Sequence, residues 1–360
     1  MNGYADTLSW IASRYNLPQK LNYESVRDII SERGTLPSIW GLCNKDLSNV
    51  DLSEFDESVL FQIAFNENTI FTEKYSINYS KVLENAKKPG LGISKLHKNN
   101  INGFGVNVAI IDKPILQTHN EFTKRISKHT FVIPENEFND KMHFHGITCA
   151  AFLCGNNCGV ANKANLFYYA YPDKFEDDGM YWNYHFKALD LILEHNKSFA
   201  EKIKVVSISA GFPRSRIDLY EKMNYYITEL QNYECQLVYS NNFGEKFTCA
   251  SKKYGFSSDD LNGYCLDTWQ TNEWDKQKIL IPSSGRSSPC NSGNNKYMYN
   301  GNQSCYSWAI PYLCGVYALA LQVNCSISFN EFCNLAEKTK LANDDGLYII
   351  NPHGIINEII

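Results

Sequence analysis

The chain has 360 residues, of which 44% are hydrophobic and 20% are charged, and its formal net charge is −5. This composition is typical of a globular protein and excludes a disordered or fibrous one. The length predicts one large domain with an appendage, or two domains. The acidic balance provides no basic surface, which argues against nucleic acid as a partner.

The sequence also lacks the usual signals for export. Residues 1–20 have no basic start followed by a continuous apolar stretch, so they do not predict a secretory signal. No apolar run reaches the length of a membrane span. The 12 cysteines are scattered, without paired C-x-x-C spacing, and fit small buried hydrophobes in a reducing compartment. We therefore expect a cytoplasmic protein without a membrane partner.

Residues 1–90 predict a mainly helical N-terminal extension. Helical spacing runs through TLSWIASRY (7–15) and SVRDIISERG (25–34), and a polar entry precedes the apolar face of residues 49–65. A stretch rich in Gly, Lys and Asn (87–105) ends this region. The extension could be an inhibitory prosegment or a permanent part of the protein. Because the linker leads almost directly into the next strand, we favour a permanent extension.

Strands and helices then alternate in residues 91–360. Short apolar runs predict buried strands and longer amphipathic runs predict helices. The strands are expected at 106–112, 164–171, 203–211 and 235–240, and the helices at 179–197 and 218–234. This alternation predicts an α/β fold with three αβα layers and a mostly parallel sheet. Residues 251–306 are rich in polar loop residues, with ILIP (279–282) as the clearest strand.

Several polar residues lie where such a sheet forms its sites, at the carboxyl ends of strands. Asp112 ends the first predicted strand, and His145 precedes a helix of small and apolar residues. Asn241 and Asn242 follow another strand. Taken singly, each is more typical of a turn, a helix cap or a packed side chain.

Ser307 precedes an apolar helix expected at 312–322, with Pro311 in the first turn. A hydroxyl at this position lies among backbone N–H groups without partners, at the positive end of the helix dipole. The same surroundings stabilise an oxyanion. Ser307 therefore fits either a capping residue or a nucleophile.

The joint order of Asp112, His145 and Ser307 distinguishes these interpretations. With its flanking residues, this order resembles the subtilisin-like serine proteases, the subtilases, in which the catalytic residues follow one another as Asp, His and Ser. The resemblance covers roughly residues 90–340 without rearrangement. Within the family, the sequence looks most similar to a divergent bacterial, cytoplasmic branch. Six segments carry it: GFGVNVAIIDKPILQTHNEF (103–122), HGITCAAFLCG (145–155), GVANKANLF (159–167), VVSISAG (205–211), YSNNFG (239–244) and YSWAIPYLCGVYALAL (306–321).

The resemblance implies a role for each residue. Ser307 would be the nucleophile, His145 the general base and Asp112 the group that orients the imidazole. Asn242 would donate to the oxyanion, with Asn241 as a rival for that role. His119 falls at a structural histidine of the family. The segment Ser209, Ala210 and Gly211 would pair with an extended peptide substrate.

The sequence departs from the family pattern beside the serine, where the usual Gly and Thr are Cys305 and Tyr306. In addition, Thr148 replaces the second histidine of the His motif, and Asn162 replaces a proline. Bulk at the glycine position could crowd the site. A pseudoprotease that binds peptides without cutting them is therefore the main alternative to a serine endopeptidase acting on a peptide or protein.

Two other site types fit less well. An α/β-hydrolase esterase needs a G-x-S-x-G elbow and a late histidine, and SISAGF lacks the first glycine. A metal site would draw on the following side chains: His143, His145, Cys149, Cys154 and Cys158. Their spacing matches no usual zinc pattern. We expect no metal or cofactor in the chemistry; the resemblance allows a structural calcium ion, but no acidic loop supplies a convincing ligand set.

Overall fold

The computed structural model describes most of the chain, and the predicted helix at 7–15 lies outside the described residues. The described residues are 19–31, 41–53, 55–72, 78–138, 142–172, 178–267, 270, 272–301 and 304–360. Among them, no helix has the length and apolar content that crossing a membrane requires.

Helices and strands are numbered in chain order. The helices are α1 (Tyr23–Ser31), α2 (Glu57–Leu60), α3 (Tyr79–Asn85), α4 (Ile93–Lys98), α5 (Phe144–Cys154), α6 (Asp178–Ser198), α7 (Ile217–Gln231), α8 (Ser240–Lys246), α9 (Glu273–Gln277), α10 (Tyr306–Val323), α11 (Phe329–Thr339) and α12 (Pro352–Asn357). The strands are β1 (Gln19–Lys20), β2 (Lys45–Asp46), β3 (Phe65–Asn66), β4 (Asn107–Asp112), β5 (Ile126–Phe131), β6 (Asn165–Ala170), β7 (Ile203–Ile208), β8 (Gln236–Tyr239), β9 (Phe247–Lys252), β10 (Tyr264–Cys265), β11 (Ile279–Pro282), β12 (Ser287–Pro289), β13 (Tyr297–Tyr299), β14 (Leu341–Ala342) and β15 (Tyr348–Ile349).

A five-stranded sheet in the order β5-β6-β4-β7-β8 forms the centre of the fold. All of its strands run parallel. Side chains of β4 alternate between two cores: Val108 and Ile110 pack with α5 and α10, whereas Ala109 and Ile111 pack with α6 and α7. The predicted α/β fold with three layers and a mostly parallel sheet is therefore confirmed.

Helix α8 leads directly from β8 into a second five-stranded sheet, ordered β10-β9-β11-β15-β14. Strands β9, β11 and β15 run parallel, with an antiparallel strand at each edge. The sequence prediction included ILIP as β11 but missed β9 and β5. Both missed strands carry Lys, Ser or Thr within the run, which weakens the apolar signal of a buried strand.

The N-terminal extension contains short helices, as expected, and also short strands. Strand β3 pairs antiparallel with β13, which pairs with β12, so the extension completes a three-stranded sheet. Phe65 packs against Tyr299, with ring centroids 5.1 Å apart. Glu67 accepts a hydrogen bond from the backbone N–H of Tyr297 at 3.2 Å. The extension and the rest of the chain therefore share one sheet and one small core.

The hairpin β12–β13 also contacts the centre of the fold. Thr148 of α5 donates its hydroxyl to Ser288 at 3.0 Å. His119 is fully buried, and its Nε2 lies 3.0 Å from the carbonyl oxygen of Lys296. This burial agrees with the expected structural role of His119. The hairpin thus lies between the extension on one side and α5 on the other.

The shared sheet predicts that the extension and the rest of the chain unfold together. Phe65→Ala should lower the free energy of unfolding by about 3–5 kcal/mol, because Phe65 is only 1% exposed. Urea denaturation followed by tyrosine fluorescence and by circular dichroism should show one transition at a lower midpoint with both probes. Phe104→Ala, at a side chain that is 73% exposed, should change stability by less than about 0.5 kcal/mol. An early, separate transition in Phe65→Ala would contradict the prediction.

Candidate active site

Asp112 ends β4 as a buried carboxylate, with 1% of its surface exposed. The His145 Nδ1 atom lies 2.8 Å from its Oδ1 and 2.9 Å from its Oδ2. The backbone N–H of Lys113 donates to Oδ1 at 2.7 Å. A buried charge requires such partners because it has lost its water. The end of the strand therefore holds Asp112 and His145 as a hydrogen-bonded pair.

The electrostatics of this pair keep Asp112 ionised. Burial alone would raise the pKa of Asp112, but the charge of His145, the hydrogen bond from its ring and the N–H of Lys113 together hold that pKa below its usual value. An ionised carboxylate accepts hydrogen bonds only, so it fixes the proton of His145 on Nδ1. This tautomer leaves Nε2 as an acceptor, which is the form a general base needs.

His145 is the second residue of α5, and the preceding His143 caps that helix. The Nδ1 atom of His143 accepts the backbone N–H of His145 at 3.1 Å. Gly146 lets the helix start close to the strand end: a Cβ there would lie 2.3 Å from the Lys113 carbonyl oxygen and 2.2 Å from the Tyr168 hydroxyl. A glycine after His145 is therefore required to bring the imidazole onto Asp112.

Ser307 lies inside its helix rather than before it, which corrects the sequence prediction. Cys305 is the N-cap and Tyr306 the first residue of α10, so Ser307 is the second and Pro311 the sixth. The serine keeps its place in the first turn, among backbone N–H groups that lack intrahelical partners. Pro311, however, is interior rather than in the first turn.

Proline inside a helix removes the N–H that would bond four residues back. At Pro311 the carbonyl left without that bond belongs to Ser307. This carbonyl accepts the hydroxyl of Ser209 at 2.9 Å and the thiol of Cys149 at 3.4 Å. Pro311 thus frees the acceptor that ties the helix of Ser307 to the residue following β7.

Two further side chains join α5 to α10: Cys149, which the sequence offered only as a metal-site candidate, and Trp308. Cys149 lies one turn after His145, and its Sγ is 3.8 Å from the His145 Nδ1. Trp308 follows Ser307, and its ring centroid lies 5.2 Å from that of His145. The four-residue spacing between His145 and Cys149 indicates this proximity, because residues four apart share a helix face.

The two thiols beside Ser307 remain protonated. Burial raises the pKa of Cys305 to about 12, opposed by hydrogen bonds from the backbone of Trp308 and Ser307 and from the Ser307 side chain. Burial also raises the pKa of Cys149 well above its usual value, and the negative charge of Asp112 raises it further. Because thiolate is the reactive form of cysteine, neither thiol is in its nucleophilic form.

The side chains of both asparagines after β8 are hydrogen-bonded to backbone groups of neighbouring residues. The Asn242 amide donates to the Leu237 carbonyl at 2.9 Å and accepts from the Tyr239 N–H at 2.8 Å. Asn242 also lines a cavity between α7, α10 and α11, and none of the other predicted site residues lines it. Asn241 is hydrogen-bonded to Phe212. The oxyanion role of Asn242 stays a prediction, and in this conformation it would need a change of side-chain orientation.

The substitutions beside the serine fill packing positions. Tyr306 packs edge-to-face on Phe243, with centroids 5.0 Å apart, and a Cβ at Gly244 would lie 3.1 Å from the Tyr306 ring. Trp308 packs against Phe152 and is 8% exposed. Since these contacts pack both aromatic rings against neighbouring helices, the bulky residues at these positions have structural partners of their own.

Only one group of metal-ligand side chains converges in the described part of the chain, namely Asp112, His145 and Cys149, with ligand atoms within 4.8 Å of one another. A metal there would displace the hydrogen bond between Asp112 and His145. Cys154 and Cys158, two of the sequence candidates, instead hydrogen-bond to backbone carbonyls.

The Glu121 carboxylate is fully buried, and its acceptor positions determine whether it could bind calcium. Its Oε1 accepts from the Asn157 side chain at 2.9 Å and from the Tyr297 hydroxyl at 2.5 Å. Its Oε2 accepts from the backbone N–H of Asn157 at 2.9 Å and of Cys158 at 3.1 Å. Four donors fill the acceptor positions of a carboxylate. This carboxylate therefore does not fit a calcium site.

No model of a protein family and no curated protein matches the sequence. Solved structures do match its fold. The prenylagaramide maturation protease PagA superposes with a TM-score of 0.53 at 16% identity over 75% of this chain and 99% of the other. The subtilase cytotoxin SubAB superposes with a TM-score of 0.53 at 12% identity, over 75% of this chain and 95% of the other. Fervidolysin from Fervidobacterium pennivorans, a keratinolytic enzyme related to subtilisin, gives 0.53 at 13% identity over 74% and 44%. The fold is therefore subtilisin-like.

The carbonyl freed by Pro311 gives a testable coupling. Ser209→Ala should lower the free energy of unfolding by about 1 kcal/mol, because the Ser307 carbonyl loses its hydroxyl donor. In a Pro311→Ala background the new N–H can bond that carbonyl, so Ser209→Ala should have almost no effect. A double-mutant cycle by urea denaturation measures the difference. Equal effects in both backgrounds would show that Pro311 and Ser209 act independently.

Proposed function

We propose that the chain is a serine endopeptidase that hydrolyses peptide bonds through Asp112, His145 and Ser307. The observation that carries the proposal is the hydrogen bond between the buried Asp112 carboxylate and the His145 Nδ1 at 2.8 Å, beside a helix whose first turn contains Ser307. The subtilisin-like fold of the neighbours supports the same reading.

In the proposed reaction, the Ser307 Oγ attacks the scissile carbonyl while His145 accepts its proton through Nε2. His145 then returns the proton to the leaving amine, and water hydrolyses the acyl-enzyme by the same route. Asp112 holds the imidazole orientation and stabilises its charged form. Apart from the substrate and one water molecule, the proposed reaction uses only groups of this chain.

The oxyanion would be stabilised by the backbone N–H of Ser307 and, after a rotation of its side chain, by the amide of Asn242. Loss of one such donor slows comparable enzymes by about 100- to 1000-fold. Because the Asn242 amide is bonded to the Leu237 carbonyl, a second candidate function has specific support: a weak or inactive subtilase-like protein that binds peptides as a regulator.

The substrate is proposed to be an extended peptide or an unfolded protein segment. It would add as a strand beside Ser209, Ala210 and Gly211, which follow β7 and are partly or fully exposed. Ser209 contacts the Ser307 carbonyl, so this edge runs alongside the proposed nucleophile. We propose no nucleic-acid or membrane partner.

The cysteines support a cytoplasmic location as part of the proposal. All 12 are described, and none takes part in a disulfide. Eight are buried, as expected of small hydrophobes in a reducing compartment.

The triad is tested by labelling the full chain with a fluorophosphonate, which modifies activated serines. Wild-type protein should be labelled, and Ser307→Ala and His145→Ala should each reduce the labelling rate at least about 1000-fold, because the nucleophile and its base act as a unit. Ser326→Ala, a serine in the turn before α11, is the matched control and should label normally. A subtilisin labelled in parallel verifies the probe. Folded wild-type protein that stays unlabelled would favour the peptide-binding alternative.

We propose that residues 1–90 remain attached in the working protein, because β3 completes a sheet with β13. Intact-mass measurement of purified protein before and after prolonged incubation should give the full-length mass, with labelling at Ser307 throughout. Ser307→Ala, which cannot process itself, provides the reference mass. Loss of about 90 N-terminal residues together with a gain in labelling would identify the extension as a prosegment instead.

A further inference from the structure

We propose that the chain accepts only small residues, namely glycine, alanine or serine, on the acyl side of the bond it cleaves. This inference rests on the proposed peptidase function and on the segment that would hold the substrate. Two chain segments, 209–212 and 239–241, would lie beside that substrate, and we call them the cleft floor. Hydrogen bonds join the two segments.

The first step is the position of the substrate edge. The Ser209 hydroxyl donates to the Ser307 carbonyl at 2.9 Å. A strand paired with residues 209–211 would therefore run beside the start of α10, with its acyl residue over Ala210 and Gly211. The main-chain groups of Gly211 make no hydrogen bond to any described residue. This open edge can accept a peptide by strand addition.

The second step concerns hydrogen bonds across the cleft floor. The backbone N–H of Ser240 donates to the Ala210 carbonyl at 3.0 Å. The Asn241 side chain then bonds both main-chain groups of Phe212: its Oδ1 accepts the N–H at 3.1 Å and its Nδ2 donates to the carbonyl at 2.8 Å. The asparagine amide thus acts as an additional rung that continues the pairing of β7 with β8.

The third step is the support of this rung. The Asn241 Nδ2 also donates to the Tyr220 hydroxyl at 2.7 Å. The Tyr220 ring packs edge-to-face on Phe212 with centroids 4.7 Å apart, and Phe212 packs on Trp182 at 4.8 Å. Because polar and aromatic contacts hold Asn241 from the α7 side, separating the two segments would break several interactions at once.

The fourth step is the space that remains. A Cβ placed on Gly211 would lie 2.8 Å from the Ser240 Cβ and 2.8 Å from the Asn241 Oδ1. Real Cβ contacts essentially never fall below 3.0 Å, so the gap between Gly211 and the facing residues Ser240 and Asn241 does not hold even a methyl group on Gly211. A large acyl side chain directed at the cleft floor would have to separate segments 209–212 and 239–241. A small side chain needs no pocket between them.

Forcing a bulky group into a packed site costs about 1–3 kcal/mol, which corresponds to about 5- to 150-fold in rate. Within this range we expect selectivity of about tenfold or more for small residues. The test uses acetyl-Ala-Ala-Ala-X-aminomethylcoumarin with X as Gly, Ala, Leu, Phe or Lys. Release of coumarin fixes X as the acyl residue, and kcat/KM is measured on the full chain.

Two variants should relax the selectivity. Asn241→Gly removes the rung and should raise the ratio of kcat/KM for Phe over Ala about tenfold or more. Tyr220→Phe removes only the hydroxyl that holds the rung and should raise that ratio by a smaller factor. Tyr225→Phe changes an exposed tyrosine of the same helix and should leave the ratio unchanged. The ratio cancels any common effect of a variant on the catalytic rate.

A binding measurement makes the inference independent of catalysis. Fluorescein-labelled Ala-Ala-Ala-X acids are titrated into full-length Ser307→Ala, with polarisation as the readout. Alanine or glycine at X should bind at least about tenfold more tightly than phenylalanine. Equal or tighter binding of the phenylalanine peptide, or binding of no peptide, overturns the inference. Selective binding by a chain that the phosphonate does not label supports the inference and rejects the peptidase function.

Discussion

The arrangement of the site depends on one buried charge, the Asp112 carboxylate at the end of β4. A carboxylate that is 1% exposed is stable only if fixed donors replace its water. His145 and the Lys113 N–H supply them, and the glycine after His145 allows the helix to approach closely enough. The position of α5 against the central sheet, and therefore the orientation of the imidazole, follows from this requirement.

The helix that contains Ser307 is positioned in a different way, through a helical hydrogen bond that Pro311 removes. The Ser307 carbonyl has no helical partner because Pro311 lacks an N–H, and it turns to Ser209 and Cys149 instead. Through these contacts the helix of Ser307 is joined both to the helix of His145 and to the residues that follow β7. Charge burial thus positions the His145 imidazole, and a missing helical bond positions the start of α10 beside residues 209–211.

Much of this was readable from sequence where the signal is local and periodic. Apolar runs predicted the strand that ends at Asp112, and residue order predicted the pairing of Asp112 with His145. The approach of the Ser307 hydroxyl to His145 stays a prediction. The position of Pro311 was predicted wrongly because helix starts are set by capping contacts, and Cys305 is not a usual cap residue. The bonds of Asn241 and Asn242 could not be predicted, since an amide after a strand can bond in several directions and only the packing of α7 and α8 selects one.

The pairing of β3 with β13 has a consequence for how the chain acquires its structure. Asn66 pairs with Met298, a separation of 298 − 66 = 232 residues, so during synthesis the extension emerges long before the strand that covers it. Contacts this distant in sequence form slowly, and segments that await them expose apolar surface. We expect the extension to depend on the completed hairpin for its order, and the site to mature only after nearly the whole chain has left the ribosome.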